Sequence, residues 1–170
     1  MQLTSYTDYS LRVLMYLGLQ GGALSSITEI AQQYAISRNH LVKVVHRLAC
    51  EGFVHSVRGR SGGITLARPP HAISVGEVVR CMEGDMPLVE CFRSATNQCP
   101  ITPACRLSSV LAEARDHFLR TLDRYTLADL LVNQASLTQL LSMNAAGTAR
   151  QRSAGAPAQA RNRKPSPSRI

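Results

Sequence analysis

Residues 26–66 read SITEIAQQYAISRNHLVKVVHRLACEGFVHSVRGRSGGITL, and the period of their apolar residues changes partway along. The stretch opens on Ser26-x-x-Glu29, a capping box that satisfies orphan amides of a first helical turn. Ile27, Ile30, Ala31 and Tyr34 then fall on one helical stripe. A short break at Ala35-Ile36-Ser37 follows. Ser37 is placed to cap a second helix running to about Gly52, with Leu41, Val44, Val45 and Leu48 on one face. Two short helices about so tight a turn make a helix-turn-helix. Beyond Gly52 the period drops to two. Residues 53–57 read as a strand, 58–63 as a turn and 64–66 as the return strand. That hairpin is a wing, and Pro69-Pro70 closes the winged helix.

On the N-terminal side, Ser5-x-x-Asp8 resembles a capping box, with Asp8 favoured in the first turn by the helix dipole. Leu11, Leu14, Met15 and Leu19 repeat at helical spacing until Gly21-Gly22. On the C-terminal side, Ser74-x-x-Glu77 opens a short helix ending near Gly84. Residues 86–104 show no sustained period and contain Pro87, Pro100 and Pro103. Loops of this length inside a compact domain are usually functional. From about Cys105 to Tyr125 apolar residues recur at three and four, which predicts about 30 Å of helix. Thr126-x-x-Asp129 is expected to cap another helix carrying Leu127 to Leu141. From Asn144 onward apolar periodicity ends, and the composition predicts disorder. The fold expected is mainly α: a winged helix-turn-helix with a β-wing hairpin, plus long C-terminal dimerisation helices. The organisation expected is a DNA-binding domain at 1–70, a loop with dimerisation helices at 71–143, and a basic tail at 144–170.

The chain has 170 residues and a formal charge of +8. The charge is uneven. Arg150, Arg152, Arg161, Arg163, Lys164 and Arg169 follow residue 148 without one acid, and residues 1–70 are also basic. Both favour a polyanionic partner. The Leu11–Leu19 stretch is too short to span a membrane and is interrupted by Arg12, and no secretion signal is seen. A cytoplasmic location without membrane contact is expected. Five cysteines there argue against a disulfide framework.

The predicted second helix offers Arg38, Asn39, His40, Lys43 and Arg47 opposite its apolar face. Asn pairs with adenine edges, while Arg and Lys pair with guanine or hold phosphates. Arg58 and Arg60 at the wing tip are placed for the minor groove or the backbone. The order of helix, turn, basic face and Arg-Gly wing points to double-stranded DNA; solvated charges on a protein-contact module are the alternative. Cys91-x7-Cys99-x5-Cys105 lies in the polar, Pro-containing loop. The spacing is neither that of a zinc knuckle nor of common ferredoxins. Three thiolates in a loop suit an iron–sulfur centre, with zinc, a thiol switch or chance proximity as alternatives. Cys50 and Cys81 fall within helical patterns and read as core or inert thiols. No C-x-x-C and no base beside a reactive cysteine supports an enzyme.

The opening MQLTSYTDYSLRVLMYL, the block SRNHLVKVV at 37–45 and the wing VRGRSGG at 57–63 resemble the winged-helix iron–sulfur repressors related to the cluster-biogenesis regulator IscR. The three-cysteine loop matches as well, and the resemblance covers roughly residues 1–143. It implies a homodimer crossing at the 105–125 helices, operator DNA as partner, and an iron–sulfur cluster on Cys91, Cys99 and Cys105, 4Fe–4S in preference to 2Fe–2S. Two positions separate branches of the family. The cluster-biogenesis branch uses a histidine where this chain has Ser108. The nitric-oxide-sensing branch uses an aspartate near the N-terminus, supplied by the partner subunit, and Asp8 matches it. The resemblance therefore implies nitric oxide as the signal. Arg12, one turn along, is placed to hold the Asp8 carboxylate by a charge-assisted bond. Read without the resemblance, Asp8 is a helix-start acid paired with Arg12.

Overall fold

The computed structural model describes residues 2–59 and 61–154. Six helices and one hairpin follow in the order α1 (Ser5–Leu19), α2 (Ile27–Gln33), α3 (Arg38–Cys50), β1 (Val54–Val57), β2 (Gly63–Leu66), α4 (Val75–Glu83), α5 (Arg106–Asp123) and α6 (Gln134–Ala154). The fold is mainly α, a winged helix with a two-stranded antiparallel wing, as the change of period predicts. The strands pair in the register Val54 with Leu66 through Val57 with Gly63. Ser25 extends the wing as a single bridge to Ile64, with amide–carbonyl bonds of 3.0 and 2.9 Å.

Local chemistry sets the element ends. Ser26 accepts the Glu29 amide at 3.0 Å, as its capping box predicts. At α1 the cap lies one residue earlier than expected: Thr4, not Ser5, accepts the Thr7 amide at 3.3 Å. Ser37 precedes α3 but makes no side-chain cap bond. Gly52, at φ +73°, ends α3 in a Schellman motif: the Phe53 amide reaches the Leu48 carbonyl and the Gly52 amide reaches that of Ala49. The chain thereby turns directly into the wing.

Leu14, Leu17, Ile30, Leu41, Val44, Leu48 and Phe53 form the buried core of the winged helix. Ile73, Val78 and Leu127 belong to the same core, so α4 and the turn after α5 pack onto α1. Arg80 of α4 grips Asp123 of α5 with both guanidinium arms, at 2.6 and 2.5 Å. Gly76 lies where α4 meets α5, and a Cβ there would meet the Asp123 carboxylate and its backbone.

Two expectations at the C-terminal end need correction. Thr126 and Asp129 do exchange capping bonds, with Asp129 Oδ2 2.7 Å from both the Thr126 amide and its hydroxyl. They close only a 3-10 turn at Asp129–Leu131, and α6 starts afresh at Gln134. The Leu127 amide donates to the Ile73 carbonyl at 2.8 Å, which ties this turn to the core. Disorder was expected from Asn144, yet α6 continues to Ala154. Ala145, Ala146, Ala149 and Gln151 are strong helix formers, and propensity carries the helix on where periodicity has stopped. The rest of the basic tail, 155–170, and Arg60 lie outside the described residues. No described helix is long and apolar enough to cross a membrane.

Candidate functional site

Helix α3 divides cleanly. Leu41, Val44, Val45 and Leu48 are buried, while Arg38, Asn39, His40, Lys43 and Arg47 are exposed. The five polar residues differ in how they are held. Asn39 and Lys43 face outward, and the Lys43 carbonyl accepts the Tyr6 hydroxyl at 3.0 Å, which seats α3 on α1. The His40 ring stacks on Tyr9, with centroids 6.4 Å apart and planes at 22°. Arg38 donates to Thr28 Oγ1 at 3.2 Å, bridging α2 and α3. Arg47 is turned toward the far end of its own helix, where it pairs with Glu51 at 2.9 Å. The residues free to address a groove therefore sit in the first two turns, where recognition helices meet base edges. Arg58 is exposed at the wing, beside Gly59 at φ +121°. Gly62 has no room for a side chain against the Val57 and Gly59 carbonyls, so this tight turn needs glycine.

The second feature lies at the foot of α5. Cys91, Cys99 and Cys105 all line one cleft of about 210 Å³. Its walls are otherwise mostly apolar: Val89, Ile101, Leu107 and Leu111. Each thiol is half-buried and none forms a disulfide. Local bonds explain why a loop without periodicity holds this shape. The Asn97 side chain accepts the Cys99 amide at 3.1 Å and donates to Thr102 Oγ1 at 3.0 Å. Thr102 Oγ1 in turn donates to the Cys99 carbonyl at 2.9 Å. Glu90 accepts the Gln98 amide at 2.6 Å. The Cys91 thiol donates to Ser108 Oγ at 3.6 Å.

The three sulfurs share the cleft without closing on a common centre: among the described residues, no three His, Cys, Asp or Glu side chains are grouped tightly enough to grip one metal ion. The donor set nevertheless fits an iron–sulfur group, being three soft ligands in a weakly polar cleft. It is one short of four. Asp8 does not line this cleft. It lies on the surface of α1, where Arg12 holds it with two bonds of 3.0 and 2.8 Å. Arg12 also lies over the Tyr34 ring, 5.9 Å from its centroid. The carboxylate is thus held by a cation of its own helix and does not join its own chain's thiol cleft.

Cys50 is exposed rather than core, its Sγ 3.8 Å from His46 Nε2. Cys81 is half-buried, and burial together with the nearby Glu51 and Glu77 carboxylates pushes its thiol up. Neither joins the cleft. Helix α5 buries none of its residues fully. Leu107 is 61% and Val110 51% exposed, one turn apart on the same face. The helical period of this segment was plain in the sequence, but which of its apolar residues stay uncovered was not.

Recognition helix, wing, thiol cleft and uncovered long helix define a class, the winged-helix transcriptional regulators. The chain belongs to the Rrf2 family, described as an iron-dependent transcriptional regulator, whose pattern matches residues 3–133. The HTH-type transcriptional regulator NsrR of Shouchella clausii is 51% identical over 142 residues, 83% of this chain and 95% of that protein. NsrR of Bacillus subtilis strain 168 is 51% identical over 144 residues, 84% and 99%. Among solved structures, IscR of T. potens superposes with a TM-score of 0.62 at 27% identity, over 78% of this chain and 88% of that one. CymR, the global cysteine regulator of B. subtilis, gives 0.60 at 29%, over 76% and 95%. These relatives are regulators and not enzymes.

Proposed function

We propose that the chain is a cytoplasmic repressor that holds an iron–sulfur cluster, binds operator DNA as a homodimer and leaves it in response to nitric oxide. The observation that carries this reading is the convergence of Cys91, Cys99 and Cys105 on one cleft. The similarity to NsrR over most of the chain supports it.

Cys91, Cys99 and Cys105 would hold the cluster as thiolates, and the partner subunit's Asp8 would complete the set. When bound, the cluster supplies iron to which nitric oxide can attach. The chain's own residues do the rest. Arg12 fixes the Asp8 carboxylate in one orientation by two bonds. Leu107 and Val110 of α5 bury against the same face of a second copy, as a two-fold interface requires. Two α3 helices then address successive major grooves of a pseudo-palindromic operator. Asp8, as a ligand from the partner subunit, would tie the two winged helices to one spacing. Freeing Asp8 would relax that spacing and lower operator affinity, a ligand-controlled bias on a two-state element.

Protein purified without oxygen should be coloured, with broad visible absorbance that bleaches as nitric oxide is added. A colourless protein from iron-replete cells would defeat this reading. It would favour a zinc- or thiol-controlled regulator, to which the likeness to Staphylococcus aureus CymR, solved in an oxidized form, also points.

A further inference from the structure

We infer that Glu83 is a positioning residue that sets Asp8 and thereby couples the two clusters of a dimer; this rests on the ligand assignment proposed above. Glu83 is the last residue of α4. Gly84 follows at φ +66° and turns the chain into the cysteine loop. Far away in sequence, Thr4 is the N-cap of α1. The Thr4 amide donates to Glu83 Oε1 at 2.7 Å, and the Thr4 hydroxyl donates to the same oxygen at 3.0 Å. Among the described residues Glu83 forms no ion pair, and Thr4 takes its carboxylate.

Thr4 passes this constraint into α1. Its Oγ1 accepts the Thr7 amide at 3.3 Å, and its carbonyl accepts the Asp8 amide at 3.1 Å. A hydroxyl has one proton and two lone pairs. With the proton committed to Glu83, a lone pair stays aimed at the Thr7 amide. A carboxylate beside the first turn also complements the helix dipole. Glu83 therefore holds the turn that presents Asp8.

The consequence appears in the dimer. One protomer's Glu83 adjoins the loop carrying its own three thiols. The same Glu83 fixes the turn whose Asp8 serves the partner subunit's cluster. A disturbance of one loop is felt at the fourth ligand of the other site, so the two sites respond together.

The test uses the full chain and the variants Glu83→Ala and Glu83→Gln. Amide hydrogen exchange in cluster-free protein reads the link directly. In Glu83→Ala, exchange at Thr7 and Asp8 should rise about fivefold or more, as expected on losing a cap. Glu83→Gln, whose amide oxygen still accepts, should stay near the parent chain. In the loaded dimer, nitric oxide titrations followed by visible absorbance should be steeper for the parent and Glu83→Gln than for Glu83→Ala. Unchanged exchange in Glu83→Ala overturns the Thr4 link. Raised exchange with an unchanged titration curve overturns the coupling. A colourless parent chain overturns the cluster reading and the coupling with it, while exchange still reads the Thr4 link separately.

Discussion

Ala35 ends α2 at φ +53°, a left-handed conformation that glycine adopts without the Cβ penalty. Its geometry is that of a Schellman turn: the Ile36 amide reaches the Ala31 carbonyl at 3.0 Å and the Ala35 amide reaches that of Gln32 at 3.3 Å. Ala35→Gly should therefore stabilise the fold by about 1 kcal/mol, read as a raised midpoint in thermal unfolding. The break at 35–37 was legible in the sequence; the sign of φ was not, because alanine does not announce it. On α3, Asn39→Ala should weaken operator binding by ~1–3 kcal/mol and relax preference at one base pair. Lys43→Ala should instead weaken all sequences alike and shallow the salt dependence by about one unit. Competition binding at several salt concentrations separates the two. The cysteines were singled out by type and crowding. Their shared cleft came from bonds that shape the loop, among them those joining Asn97, Thr102 and Cys99.

At the scale of elements, the joint between α4 and α5 sets how the long helix leaves the winged helix. Arg80 holds the Asp123 carboxyl below its ordinary range by a direct hydrogen bond and by charge. The clamp therefore contributes fully above the unfolded carboxylate value, about 3.9, and is lost as pH falls through the lower folded value. Asp123→Asn should lower stability at neutral pH by the clamp's contribution and remove that part of the acid limb of a stability–pH curve. Gly76→Ala should be worse at neutral pH, because the new methyl meets backbone as well as carboxylate. A loss of ~1–3 kcal/mol is expected in chemical denaturation, as for other overpacked sites. The Ser74 cap and the helical period of α5 were readable from residue spacing. The pairing of Arg80 with Asp123 was not, since they lie 43 residues apart.

For the whole molecule, the decisive feature is a long helix with an uncovered apolar face. Leu107→Glu with Val110→Glu should leave the winged helix folded and yield a monomer in analytical ultracentrifugation, with specific operator affinity lost. A dimer surviving both changes would place the interface elsewhere. Removing residues 155–170 should spare specific recognition and reduce only the salt-sensitive, nonspecific part of binding, because the four basic side chains there act through charge alone.

The sequence by itself determined the winged helix, since capping boxes, a period of 3.6 and a switch to two are local properties that propensity and amphipathicity express directly. It also determined the chemistry on offer: a basic recognition face and three crowded thiols. Tertiary structure decided what those residues meet. Thr4 rather than Ser5 caps α1 because Glu83 arrives from α4 to hold its hydroxyl. The turn after α5 is tied into the core because the Leu127 amide reaches the Ile73 carbonyl. Ser25 joins the wing through Ile64. Each choice is a contact between distant or competing partners, and long-range pairing leaves no periodic trace in the chain that makes it.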